Sequence, residues 1–186
     1  FVLAPEGADG FAGWPATAGA WRPNIVGGAG AWASISPKAW HANGAGGESA
    51  VFDLSTSLHF RAKHVPGAWW GVRARLAEAA AKIGRPRNLL LTSEDGALAR
   101  LAAPDAAAAW PGADIRVLEG GNAAWFAAGL AAESGLELAT TANDDVWYKP
   151  YDHETDVEKH MRAYLDWEVG LVEQIKRDPT IKFRAF

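Results

Sequence analysis

The alternation of short apolar runs with helical segments over residues 50–130 restricts this chain more than any other feature. Ala50–Leu54, Ala68–Val72, Asn88–Thr92 and Ile115–Leu118 are brief apolar stretches bounded by turn residues, the pattern of buried strands. Between them lie segments with helical spacing. Ser55 or Thr56 caps a short helix through about Lys63, which His64-Val-Pro-Gly67 breaks. Arg73 to Ile83 carries Leu76, Ala80 and Ile83 on one face and ends at Gly84 and Pro86. Ala97 to about Trp110 is closed by Pro111-Gly112, and Asn122 to about Ala128 follows Gly120-Gly121. Strand and helix in strict alternation predict an α/β fold: a central, mainly parallel sheet of about five strands with helices on both faces.

Three regions follow from this pattern. Residues 1–33 are rich in Gly, Ala and Pro and read as irregular, with Phe1–Leu3 as a candidate short strand. Residues 34–135 hold the alternating domain, which opens on a helix from Pro37 to about His41 after Ser36. Residues 136–186 form a C-terminal extension. Within it, Val157, Met161, Tyr164, Leu165, Glu168, Leu171, Val172 and Ile175 recur at three- and four-residue spacing and predict one amphipathic helix from Thr155 to Lys176. Thr155 and Glu158 have the spacing of a capping box, and the apolar face is expected to pack on the domain or on a partner. Ile25–Trp32 echoes Leu118–Trp125 in a shared Gly-Gly-x-x-Ala-Trp pattern. The echo marks either a remnant of an adjacent repeat or a coincidence in a Gly- and Ala-rich chain.

Composition excludes several classes. Net charge is −4 and the basic residues are scattered apart from Lys82, Arg85 and Arg87, so no nucleic-acid partner is expected. No apolar run approaches the ~20 residues of a membrane span, and no signal peptide is visible, which suggests a cytoplasmic protein. Five histidines are present and none pairs at i, i+4 with an acidic helper, so neither a metal site nor a cofactor is called for. Ten tryptophans line either a ligand cage or, as their large buried area favours, the core and its helix contacts. There is no cysteine, which removes disulfides, thiolate metal sites and thiol nucleophiles together.

Four motifs in order resemble the rhodanese family: Val51-Phe-Asp53-Leu54, His64-Val-Pro-Gly67-Ala68, the strand and loop Leu90-Leu91-Thr92-Ser93 with Glu94 to Leu98, and Leu118-Glu-Gly-Gly-Asn-Ala-Ala-Trp125. The C-terminal stretches Trp147–Tyr151 and Tyr164–Glu168 look like the extension of some multi-rhodanese bacterial proteins. The resemblance implies a rhodanese-like sheet and a reaction in which a loop cysteine takes sulfane sulfur from a donor such as thiosulfate. It also implies that Ser93 stands at the cysteine position, with Glu94, Asp95, Gly96, Ala97 and Leu98 completing the loop.

A serine hydroxyl cannot form a persulfide and is a poor nucleophile without an adjacent base. Glu94 and Asp95 would also oppose an incoming anion. Phosphatases that share the fold need a cysteine, five residues and an arginine; here Ser93 plus six reaches Ala99, and Arg100 falls one place later. A hydrolase elbow is lacking as well, and a Ser93 hydroxyl that caps the next helix is the simpler expectation. Asp53 is expected to bond backbone N–H groups near the loop. His59, Arg61 and Arg73 are candidates to line it and hold an anion. The implied function is a non-catalytic structural, interaction or regulatory module. Its partner would be another protein or a neighbouring rhodanese domain. Two alternatives stay open: one part of a multidomain sulfurtransferase whose cysteine lies elsewhere, and an anion-binding module that uses the loop backbone.

Overall fold

A computed structural model describes residues 30–43 and 46–180. Five strands form one sheet: β1 (Ser34–Ile35), β2 (Ser49–Asp53), β3 (Ala68–Trp70), β4 (Asn88–Thr92) and β5 (Asp114–Leu118). Their order is β1-β5-β4-β2-β3, and every pairing is parallel. Six helices accompany them: α1 (Pro37–Asn43), α2 (Ser57–Ala62), α3 (Leu76–Ile83), α4 (Ala97–Ala109), α5 (Gly121–Ala127) and α6 (Val157–Arg177).

The central strands are apolar on both sides because helices cover both faces. β4 shows how the pleat divides its side chains: Leu89 and Leu91 enter the core beside α3 and α4, with Phe52, Leu76, Ala103 and Trp110. Leu90 enters the opposite core with Trp40, Phe60, Trp70 and Trp125. Helix α4 reaches the sheet through small residues, Ala99, Ala102, Ala103 and Ala106. Pro104 lies inside this helix on its exposed side, where water can take the carbonyl that loses its N–H partner. Trp40, Trp70, Trp110 and Trp125 are core anchors, whereas Trp147 and Trp167 are exposed.

Several elements differ from the sequence expectations. The strand at Ala68 stops at Trp70, and Arg73–Arg75 is a 3-10 turn ahead of α3. The fifth strand is Ser34–Ile35, held on the sheet edge by Val117 N–H to the Ala33 carbonyl and Glu119 N–H to the Ile35 carbonyl. The candidate strand at Phe1–Leu3 and all but the end of the Ile25–Trp32 echo lie outside the described residues. Residues 133–140 run along β3. The Trp70 N–H donates to the Leu138 carbonyl, and Thr140 returns its N–H and hydroxyl to the Trp70 carbonyl.

The long helix begins at Val157, with Asp156 at its N-cap in the left-handed region (φ 55°) and no capping side chain. The Thr155–Glu158 box is therefore not formed. No residue of α6 is buried, so among the described residues its apolar stripe packs on nothing that covers it. Its neighbour is the 3-10 turn at Pro150–Asp152, with Trp147 tilted against Trp167. No helix among the described residues is long and apolar enough to cross a membrane.

Candidate functional site

In parallel α/β sheets, sites form at the carboxyl ends of the strands. Here β2 and β4 end side by side, with Asp53 paired to Thr92. Ser93 follows as the first residue of the turn into α4. It is 1% exposed, and its Oγ accepts the N–H of Ala99 at 3.3 Å. Gly96 turns the chain into α4 at φ 82°, a conformation open to glycine and strained for other residues. Asp95 folds back so that Oδ1 accepts the Ala97 N–H at 2.9 Å. The α4 N-terminus thus has two of its first N–H groups occupied by the loop's own side chains.

The loop is also seated on α5. The Ser93 and Glu94 carbonyls accept the N–H groups of Asn122 (2.8 Å) and Ala123 (2.9 Å). Gly121 makes this approach feasible: a Cβ there would collide with the Ser93 carbonyl oxygen and the Gly96 nitrogen. Beneath the loop lies a buried network. The Asn122 amide nitrogen donates to Asp53 Oδ2 (2.7 Å) and Ser55 Oγ (2.9 Å), while its oxygen accepts the Thr92 hydroxyl (2.8 Å). Asp53 Oδ1 also accepts the Ser55 N–H at 2.8 Å and the Ser55 hydroxyl. Burial pushes the Asp53 carboxyl above the usual carboxylate range, and the donors from Ser55 and Asn122 offset that only in part.

Asn122 is the hub of this arrangement, and sequence reasoning missed it. Its only signal is its place after Gly120-Gly121, because an asparagine in a helix start carries no chemistry of its own. The sequence offers Ser55 only as a helix cap. The cap of α2 is Thr56, whose hydroxyl accepts the His59 N–H, and Ser55 joins the buried network instead.

The flanking candidates divide. His59 Nδ1 meets Glu94 Oε1, which also accepts the Thr56 N–H at 3.3 Å, so Glu94 bridges the loop to α2. Arg61 turns to the C-terminal extension. It donates to the Asp152 carbonyl, pairs with Glu154 at 3.5 Å and lies over the Tyr148 ring. Arg73 pairs with Asp105 of α4 at 2.7 Å. Both arginines are thus engaged by partners outside the loop. Ala97 and Leu98 are exposed in the first turn of α4. Among the described residues no cluster of three or more His, Asp or Glu side chains has the arrangement of a metal site.

The chain is similar to the crystal structure of thiosulfate sulfurtransferase from Pseudomonas aeruginosa, with 33% identity over 84% of its own length and a TM-score of 0.75. It belongs to the rhodanese-like domain family. It is a member without cysteine. It spans 30% of the length of the Pseudomonas structure. Looser likenesses include a rhodanese-related protein from Thermoplasma volcanium, 18% identical over 57% of this chain and 100% of that one (TM-score 0.48). Another is the rhodanese-like domain of an Anabaena protein, 18% identical over 62% of this chain and 89% of that one (TM-score 0.48). No protein-family profile matches the chain, and no curated protein matches it. Within the rhodanese-like domain, Ser93, Glu94, Asp95 and Gly96 form the turn from β4 into α4, and Asp53 and Asn122 support it from below.

Proposed function

We propose that this rhodanese-like domain is catalytically silent and acts as a structural, interaction or regulatory module, with Ser93 at the position of the family's nucleophilic cysteine. The observation that carries this reading is the state of Ser93 in a chain without cysteine: buried, with Oγ engaged by the Ala99 N–H. Sulfur transfer needs an atom that can hold a sulfane sulfur, and an alcohol oxygen cannot. Among the described residues the hydrogen bond at this hydroxyl comes from a backbone N–H, and none joins it to an imidazole or carboxylate that could serve as a general base. A partner protein or a neighbouring rhodanese domain is then the binding target.

A second reading is favoured by one comparison. The Pseudomonas structure named as a thiosulfate sulfurtransferase is more than three times as long as the portion this chain spans. Under that reading the domain is one part of a larger sulfurtransferase, whose cysteine sits in a similar loop of another domain.

A cyanide-coupled thiosulfate assay on this chain tests the first reading. Thiocyanate production at the uncatalysed rate is expected. Turnover above that rate, proportional to protein concentration, would sink it. The second reading predicts a further loop of this kind with cysteine in the longer polypeptide, and mutating that cysteine would abolish the activity of the whole.

A further inference from the structure

We propose that Glu94 and Asp95 are a second lock on this loop, independent of Ser93: two fixed carboxylates that exclude an anionic sulfur donor even when a thiol is supplied. The inference rests on the reading that Ser93 occupies the nucleophile position.

Both side chains are exposed, and each is oriented by hydrogen bonds. Glu94 is fastened across the loop by the Thr56 N–H and by His59 at the start of α2. Asp95 is fastened by the Ala97 N–H at the start of α4. A mobile surface carboxylate is diluted over its rotamers and screened by salt, whereas one held at a fixed point keeps its field there. Asp95 also places its negative charge on the N-terminus of a thirteen-residue helix, the feature of the loop that would otherwise attract an anion and lower a thiol pKa. Glu94 engages His59 at Nδ1, so that nitrogen is not open to a donor's oxygen. Arg61 and Arg73, the candidate cations of the sequence for this loop, are paired elsewhere. The loop therefore presents two carboxylates and no unpaired cation from these candidates.

The chemistry that this arrangement opposes is explicit. A thiolate attacks the outer sulfur of thiosulfate, a new S–S bond forms, the S–S bond to the sulfonate breaks, and sulfite leaves with that electron pair. Cyanide then takes the outer sulfur as thiocyanate and returns the thiolate. The attacking and arriving species are both anions, so fixed negative charge beside them acts on each.

The test uses Ser93→Cys and the triple variant Ser93→Cys/Glu94→Gln/Asp95→Asn. The amides keep size and hydrogen-bonding oxygens, so the turn retains its ties. Two reagents are compared on each protein: thiosulfate, a dianion, read as persulfide by mass spectrometry, and iodoacetamide, which is neutral. Both need the thiolate, so the ratio of their rates cancels changes in thiol pKa and access. The ratio should rise at least about tenfold in the triple variant, the scale expected for removing like charge a few ångströms from an arriving anion. A ratio unchanged between the two proteins overturns the lock while leaving the silent-domain reading intact. A thiol unreactive to both reagents in both proteins also overturns it, since burial and not charge would then close the loop. Turnover by the wild-type chain would instead remove the reading on which the proposal rests.

Discussion

The sheet and the C-terminal helix are built from equally regular apolar patterns and end in opposite states. Leu89, Leu90 and Leu91 of β4 are fully buried, whereas in α6 Val169 is 77% exposed and no residue is buried. The difference lies in what each pattern meets. The strands find neighbours on both sides of the sheet and helices above and below. Helix α6 touches the domain mainly through the Pro150–Asp152 turn and the Trp147–Trp167 contact. Periodicity states that an element is amphipathic; a partner surface decides whether that becomes stability.

The contrast breaks most readily on truncation. Leu90→Ala should cost about 3–5 kcal/mol in denaturant unfolding, the range for a leucine removed from a packed core. Leu165→Ala in α6 should fall within about 0.5 kcal/mol, as for a surface site. Equal costs would mean that α6 is covered in solution. The same substitution with opposite sign sharpens the contrast further. Gly121→Ala meets the Ser93 carbonyl and demands φ 61°, so it should lose about 2 kcal/mol or more. Gly170→Ala, in the helical interior of α6 with only the Gln174 side chain near, should gain about 0.5–1 kcal/mol.

The smallest effect is a pH dependence whose sign separates the buried sheet from the exposed arm beyond β3. Asp53 is raised from 3.8 by burial, so the folded protein holds its proton longer than the unfolded chain. Its contribution is present below the unfolded value and is lost as pH rises from there through the raised value. The stability advantage of wild type over Asp53→Asn should therefore shrink across that window. Asp144, in the arm beyond β3, is lowered by its hydrogen bond from Arg75. Its contribution is present above 3.8 and is lost as pH falls through the lowered value, so the advantage over Asp144→Asn should shrink in the other direction. Urea titrations from strongly acidic to neutral pH would show both slopes, that of Asp144 below 3.8 and that of Asp53 above it; matching slopes would contradict the burial of Asp53.

Much of the fold was legible because local chemistry determined it. Apolar runs bounded by turn residues mark β2, β4 and β5 to within a residue or two, and Thr56 and Pro37 open helices where their types predict. The absence of cysteine and the placement of Ser93 after a strand and before a helix needed no coordinates either. The rest depended on neighbours distant in sequence. Ser34–Ile35 is a strand only because β5 offers an edge to it, and two residues carry no period of their own. Asn122 became the hub of the site because α5 delivers it to Asp53 and Ser55 across more than sixty-five residues of chain. Arg61 and Arg73 have the charge to serve the loop, but carboxylates that the fold brings close claim them first. Composition and period are properties of a segment, so the chain alone determined which elements form. Which polar group meets which depends on the packing of those elements, and only the tertiary structure decided that.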